Sequence, residues 1–436
     1  MPGAVGWWCP GWKSADSPFG RWQGLDSIGG SGGVPTPMRR ACTSPFGVCP
    51  GFIDAMQTDA DLIILGGGCA GLSLAMRLAA RGSDCPRVAI VEQRELYERD
   101  RSWSYWRTPG ARLTHLARRE WPAVRLSAGG RSVSVDCRAM PYQTIDSGDF
   151  YAEAWGLIRR NPRIAAFLGE SVMARPVRME GVWRVETSRR ALRGATVIDT
   201  RPPLEGSETP PQLWQSFSGV EVECPEGTFA DDQVTLMDFE PDVRGSICFR
   251  YVLPYSATRA LVEATVFSPE RRTAAELAPE LARFVARTTA GRATRLIHQE
   301  YHAIPMGTSE PLTVPLDGWV RVGLHSGAAR AATGYAFQRI QRWADVAAEY
   351  AARGRTLEPL RADPWITRRM DSLFLDVLCR QPERAPGLFL GLFALPDPGP
   401  VLRFLSDEAR LMDYLKVMRS LPAGLFLREA WRRVNS

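Results

Sequence analysis

The stretch from Asp61 to Arg81 constrains the fold of this chain more than any other. It runs Asp61-Leu-Ile-Ile-Leu-Gly66-Gly67-Gly68-Cys69-Ala70-Gly71 and continues as a leucine- and alanine-rich segment. Leu62–Leu65 is a short apolar run, as a buried parallel strand requires. Gly66, Gly68 and Gly71 fit G-x-G-x-x-G: a tight turn, a close backbone approach to a diphosphate, and a helix laid against the preceding strand. Leu72, Ala75, Met76 and Ala79 then recur at helical spacing. A second apolar run, Val88–Val91, ends in Glu92, placed to accept a hydrogen bond from a ribose hydroxyl. Strand, turn, helix, strand and acid together predict a dinucleotide site, with Cys69 and Ala70 at its helix start. A glycine-rich turn without a ligand is the alternative.

The expected dinucleotide is FAD. A simple NAD dehydrogenase would continue as alternating strands and helices, whereas β-rich and irregular stretches follow Glu92. The chain has 436 residues, 45% hydrophobic and 23% charged, enough for two or three domains with a sizeable core. Its net charge of +6 comes mostly from scattered arginines. That is compatible with anionic lipid, and no basic block of the kind that tracks nucleic acid is present. The nine cysteines are odd in number and form no C-x-x-C, which predicts reduced thiols and a cytosolic setting. His298 and His302 are four apart, but no further ligand follows at metal spacing, so no metal site is expected.

Residues 1–55 are rich in Gly, Pro, Ser and Trp, without helical or alternating period. They read as a disordered extension, or as sequence upstream of a start at Met56, with an interaction segment as the remaining alternative. Ser102-Trp103-Ser104-Tyr105-Trp106 is an aromatic cluster that either lines a pocket or packs a core. Ser132–Val135 alternates like a strand. Tyr142–Ser147 leads into a helix over 148–160, capped by Ser147 or Asp149. Strands are expected at 171–175 and 181–187. Ala195–Ile198 is another apolar run ending in an acid, Asp199, and reads as a parallel strand returning to the nucleotide domain.

Between 212 and 303 the reading is mainly β, with strands at 218–223, 233–238, 246–253, 260–267 and 295–303 and one helix at 274–290. Glu263 is a lone acid in the apolar strand Leu261-Val-Glu-Ala-Thr265. It shares a face with Leu261 and Thr265, because alternate residues of a strand do. If buried, its carboxyl is held neutral by desolvation, which suits a general acid. On an edge strand it would face water instead.

Trp319–Phe337 repeats the opening logic of strand, small-residue turn and helix, the helix reaching about 352. Amides at such a helix start can hold a cofactor phosphate or the flavin edge. Residues 365–436 are helical by period. Within them Leu388–Leu395 is strongly apolar but too short to span a bilayer, which needs about 20 apolar residues. It is either core or a patch entering the membrane surface.

Several of these pieces together resemble the flavin-dependent lycopene cyclases, specifically the bacterial lycopene β-cyclases, over about residues 58–430. The matching pieces are the glycine turn through Glu92, Trp103-Ser104, Tyr142-Gln-Thr-Ile-Asp-Ser147, Tyr251-Val-Leu-Pro254, Leu261-Val-Glu-Ala-Thr265, Gly323–Phe337 with its Thr-Gly-Tyr, and Arg403-Phe-Leu-Ser-Asp407. The resemblance implies a mixed α/β fold: a Rossmann-like FAD domain of glutathione-reductase type, an inserted antiparallel β substrate domain and a helical C-terminal part. On that plan, 56–211 is the first part of the FAD domain with β insertions, 212–303 the substrate domain, 304–352 the return to the FAD domain, and 353–436 the helical region.

The resemblance further implies bound reduced FAD, NAD(P)H as reductant, and lycopene or a related acyclic carotenoid as substrate. The protein would then lie peripherally on the cytoplasmic membrane. Gly66, Gly68, Cys69, Ala70, Gly71, Glu92, Asp199, Gly323, Gly327, Thr333, Gly334 and Tyr335 would hold the cofactor. Trp103, Tyr105, Tyr142 and Tyr251 would line the substrate pocket, and Glu263 would be the acid. Two departures stand out. Ala264 occupies a position where the family usually carries a second acid, removing a neighbour that could tune Glu263. Ala332 replaces a residue often Pro or Ser. The rival readings are a flavin monooxygenase, a geranylgeranyl-type reductase, and a flavin- or carotenoid-binding module without catalysis. Gly323-Leu-His-Ser-Gly327 lacks the Gly-Asp that monooxygenases usually present there.

Overall fold

The computed structural model describes residues 58–202, 210–240, 245–307 and 317–434; the expected extension over 1–55 lies outside the described residues. The chain opens with β1 (Ala60–Leu65), α1 (Cys69–Ala79), β2 (Val88–Glu92), β3 (Ser102–Trp106), β4 (Ala117–Trp121), β5 (Ala123–Ala128), β6 (Arg131–Asp136), β7 (Tyr142–Asp146) and α2 (Ser147–Ile158). There follow β8 (Ile164–Leu168), β9 (Val177–Met179), β10 (Val182–Glu186), β11 (Ala191–Asp199), β12 (Leu213–Glu223), β13 (Gln233–Phe239), β14 (Ile247–Pro254) and β15 (Arg259–Ser268). The rest is α3 (Ala274–Thr289), β16 (Arg295–Met306), β17 (Trp319–Arg321), α4 (Phe337–Ala352), α5 (Trp365–Arg380), α6 (Ala385–Phe393), α7 (Gly399–Leu405), α8 (Leu411–Arg419) and α9 (Ala423–Val434).

The first sheet runs β8-β2-β1-β11-β10-β9, with β17 also on β11. β8, β2, β1, β11 and β17 pair in parallel, as their nearly unbroken apolar runs demand, while β10 and β9 add an antiparallel edge. The expected strand at 171–175 is only a single bridge between Val172 and Thr187. The exposed side chains of Val177 and Met179 show that this edge has no buried face to fix a long strand.

The second sheet runs β16-β12-β15-β14-β13-β5-β6 and is antiparallel except between β13 and β5. It therefore also takes in residues 123–136. The helix α3 covers one face of β15: Ala260, Val262, Ala264 and Val266 share a core cluster with Leu277, Leu281 and Phe284. The opposite face carries Leu261, Glu263, Thr265 and Phe267. A small third sheet, β3-β7-β4, bridges the two. The α2 cap is neither Ser147 nor Asp149 but Asp146, whose carboxylate accepts the Gly148 N–H at 2.9 Å. Ser147 instead turns its hydroxyl to the Asp100 backbone and carboxylate.

Candidate active site

At the carboxyl edge of the parallel sheet, Gly66 follows β1, Thr200 follows β11 and Gly323 lies just beyond β17. The Thr200 hydroxyl donates to the Leu65 and Gly66 carbonyls at 3.0 Å each, and the Val322 N–H to the Asp199 carbonyl at 3.0 Å. The sheet thus brings Gly66, Asp199 and Gly323 to one edge, where open α/β sheets take their ligands. Asp199 itself is buried and binds Arg201 at 2.8 Å through both oxygens.

The first glycine turn fits a dinucleotide. α1 has no side-chain cap at Gly68, so its first-turn amides are free of one. A Cβ on Gly68 would meet nothing within 4 Å, whereas one on Gly71 would lie 2.0 Å from the Gly66 carbonyl oxygen. Glu92 is buried, accepts the Gly67 N–H at 2.5 Å, and keeps lone pairs for a ribose hydroxyl. Sequence reading missed the two groups that close this corner. Arg94 donates to Gly67 O at 2.9 Å and to Glu92 at 3.1 Å, and the Tyr97 hydroxyl donates to Gly67 O at 2.7 Å. Burial pushes the Cys69 thiol up to about 12, so it is neutral.

A cavity of about 300 Å³ lies against the second sheet. Trp103, Tyr105, Tyr142, Tyr251, Glu263, Thr333, Gly334 and Tyr335 all line it. The aromatic cluster at 102–106 is β3, and it serves both expected roles at once: Tyr105 and Trp106 are buried, and both border the cavity. Trp103 and Tyr105 stack on Phe337 with ring centroids 5.0 and 5.5 Å apart. The glycine turn is not in the lining, but Arg101 is, and its charge acts on the Cys69 thiol. α4 joins the two sites as well. Gln338, Arg339 and Arg342 border the cavity, while Gln341 donates to Ser73 of α1 at 2.8 Å.

Glu263 is on no edge. β15 lies between β12 and β14, and Glu263 is 7% exposed. Desolvation, with Glu300 nearby, raises its carboxyl well above the ordinary value, so it is neutral in the cavity wall. The neighbouring hydroxyls are neutral too. Burial raises Tyr142, Tyr251 and Tyr335, and the Tyr142 and Tyr251 hydroxyls are 3.1 Å apart. Position 264 cannot tune Glu263. Ala264 is fully buried on the α3 face, beside Arg250 of β14. Arg250 is already bonded to Asp238 at 2.7 Å and Thr288 at 2.9 Å. The carboxyl that does meet Glu263 is Glu300 of β16, which the sequence reading did not single out.

The expected helix start after Gly323 is also corrected. Only a three-residue 3₁₀ turn, Leu324–Ser326, follows Gly323, and α4 begins at Phe337. The loop between them is held by Arg330, which is fully buried. Its guanidinium grips both Asp371 oxygens at 3.0 Å and donates to the Phe404 carbonyl. Asp407 pairs with Arg342 at 3.3 Å, and Arg403 with Asp413 at 2.6 Å. The Arg403–Asp407 segment thus secures the loop that presents Thr333, Gly334 and Tyr335. Leu388–Leu395 is core rather than membrane patch. Leu388, Leu390, Leu392 and Phe393 are buried, and Phe389, Leu392 and Phe393 wall the cavity. His302 Nε2 donates to the Asp100 carbonyl at 3.0 Å, and no cluster of three or more metal-ligating side chains occurs among the described residues.

The lycopene cyclase protein family model matches residues 61–429. The chain belongs to the lycopene cyclase family. A search of curated proteins finds no match. Among solved structures, a geranylgeranyl bacteriochlorophyll reductase-like protein of Thermoplasma acidophilum is similar at 12% identity and TM-score 0.55, covering 85% of this chain and 98% of that one. The p-nitrophenol 4-monooxygenase of Pseudomonas putida is similar at 15% identity and TM-score 0.54, covering 86% and 98%. A flavoprotein/dehydrogenase of Cytophaga hutchinsonii is similar at 14% identity and TM-score 0.54, covering 83% and 98%. At these identities the likeness establishes the fold: a lycopene cyclase-like chain on a flavoprotein scaffold.

Proposed function

We propose that this protein is a lycopene β-cyclase that closes the acyclic ends of lycopene, or of a related carotenoid, into β-rings without net redox change. The observation that carries the reading is Glu263, a neutral carboxyl buried in the wall of an aromatic cavity. An alkene is a very weak base, so its protonation calls for an acid that is neutral and shielded from water. Glu263 gives its proton to the terminal double bond. The next double bond attacks the resulting tertiary cation, and a ring proton is then lost. The face of Trp103 or Tyr105 that is not stacked on Phe337 would stabilise the cation, a contribution worth about 2 kcal/mol or more when desolvated. The neutral hydroxyls of Tyr142, Tyr251 and Tyr335 line the cavity without introducing a competing charge.

FAD, held by the first glycine turn with Glu92 and kept reduced by NAD(P)H, would supply negative charge near the cation. Gly68 and the α1 amides would receive its diphosphate, and Glu92 its ribose. The test of the acid is Glu263→Gln, which keeps shape and removes the proton. Cyclisation is expected to be lost with flavin retained; a wild-type rate removes Glu263 from the mechanism.

Peripheral membrane contact belongs to the same reading. No helix among the described residues is long and apolar enough to cross a membrane. However, Leu411, Leu415 and Met418 are exposed at helical spacing along α8, and Leu427 and Trp431 along α9. Lys416, Arg419, Arg432 and Arg433 lie in the last turns of these helices, which supports contact with an anionic cytoplasmic leaflet.

A further inference from the structure

The register of the second sheet brings two acids together. Gly219 of β12 is paired with Glu263 of β15 on one side and with Glu300 of β16 on the other. Tyr251 of β14 continues the same row beyond Glu263. Strands two apart are about 10 Å apart, so a side chain between them would separate their carboxyls. Gly219 has none. A Cβ there would lie 2.7 Å from Glu263 Cγ, so Glu263 leans across the glycine. Gly219 is not among the glycines with positive φ. The strand uses its missing side chain, not its backbone freedom. Glu263 and Glu300 hydrogen-bond side chain to side chain. Glu300 is 4% exposed and does not border the cavity, and its Oε1 accepts from the Ser102 hydroxyl at 3.0 Å.

We propose that Glu300 is the positioning partner of Glu263: the two carboxyls share one proton across Gly219, with Glu263 presenting it to the cavity and Glu300, held by Ser102, carrying the charge. The use of this proton rests on the cyclase reading; its existence does not. Two buried carboxyls in contact cannot both ionise, so the pair keeps one proton at neutral pH. Burial raises both carboxyls, but at Glu300 the bond from Glu263, the Ser102 hydroxyl and the Arg99 charge work against that rise, whereas no group does so at Glu263. In turnover the Glu263 O–H bond breaks, its electron pair stays on oxygen, and a C–H bond forms at the end of the polyene. The proton later lost from the ring returns to Glu263, so the pair ends as it began. The proton leaves Glu263 only as the cation forms beside it, and that positive charge offsets the second negative charge on the pair.

The groups around the pair leave its titration distinct. Tyr142 of β7, Tyr251 of β14, Tyr255 beyond β14 and Tyr335 of the loop are all raised by burial and stay neutral. Asp146 at the end of β7 is raised by burial while Arg99 and Arg118 pull it back, and the same two arginines hold Glu221 of β12 below its ordinary value against burial. His302 of β16 is lowered by burial and neutral. For a carboxyl raised by a like charge, removing that charge lowers the pH at which it ionises. Glu300→Gln should therefore move the ionisation of Glu263 to lower pH.

The experiment is infrared difference spectroscopy of the flavin-loaded protein across pH, with cyclisation followed on the same preparations. A neutral carboxylic-acid band should be present at neutral pH and missing in Glu263→Gln. In Glu300→Gln its midpoint should fall by about one pH unit or more. The alkaline limb of cyclisation should move with it, with KM and flavin content unchanged. Gly219→Ala, which drives the carboxyls apart, should move the band the same way, and Glu300→Asp, which keeps the charge, should restore part of the shift. An unmoved band in both Glu300→Gln and Gly219→Ala overturns the proposal, as does a band that survives Glu263→Gln and disappears in Glu300→Gln. Should Glu300→Gln fail to fold, Gly219→Ala and Glu300→Asp decide. A correct band without any cyclisation would refute the cyclase reading alone, because the band reports a proton rather than turnover.

Discussion

Replacing Arg330 by Met isolates what the loop before α4 depends on. Arg330 is fully buried, and so is its partner Asp371, joined by two hydrogen bonds of 3.0 Å. A third goes to the Phe404 carbonyl, and the guanidinium lies 4.1 Å from the Phe404 ring centroid. Methionine fills most of the volume but leaves Asp371 charged, buried and unpaired. Breaking a buried pair in this way costs about 3–5 kcal/mol. The two hydrogen bonds to Asp371, at about 1.5–3 kcal/mol each, give a similar figure of about 3–6 kcal/mol. Against a typical stability of about 5–15 kcal/mol, that is a large share. Equilibrium urea unfolding followed by tryptophan fluorescence measures it. Arg330→Met/Asp371→Leu should recover most of the loss, because no orphaned charge remains. A single variant within about 1 kcal/mol of wild type, or a double variant no better than the single one, would refute this account of the loop.

Gly71→Val places a side chain against the Gly66 carbonyl, 2.0 Å from where its Cβ would stand, and should weaken flavin binding about tenfold or more, measured by flavin fluorescence during titration. Leu415→Asp together with Trp431→Asp should leave the unfolding midpoint nearly unchanged, since both side chains are exposed, but cut co-sedimentation with anionic vesicles about tenfold or more. Equal sedimentation of variant and wild type would remove α8 and α9 from the membrane contact.

The parts of the fold carried by local pattern were readable from the residues. The glycine turn, β1, β2, α1 and the return strand β11 follow from apolar runs and their punctuation. In the second sheet β6, β13, β14, β15 and β16 were expected close to where they lie, but β5 was not expected and β12 begins five residues earlier than the strand expected at 218–223. What depended on pairing between distant segments was not readable. Glu300 meets Glu263 only because β12 lies between β15 and β16 in one register, and neither the order nor the register is written near Glu300. Gly219 looks like any other strand glycine until its two neighbours are known. The Ala264 departure suggested a missing partner for Glu263, although period-two alternation already sends residue 264 to the other face. Leu388–Leu395 could not be assigned by hydrophobicity alone, because a cavity wall and a membrane patch share it. The small-residue turn at Gly323 resembled the first one, yet Arg330 and Asp371 hold it as a loop and delay the helix to Phe337.

On the proposed mechanism a neutral, buried Glu263 drives a ring closure in which flavin is not consumed. The most direct measurement is an anaerobic incubation with lycopene in lipid vesicles, FAD and NADPH, followed by separation and mass analysis of the carotenoids. The expected product bears rings at unchanged mass, with NADPH oxidation not proportional to turnover. A heavier product that requires oxygen, or a hydrogenated product formed in step with NADPH oxidation, would contradict this mechanism.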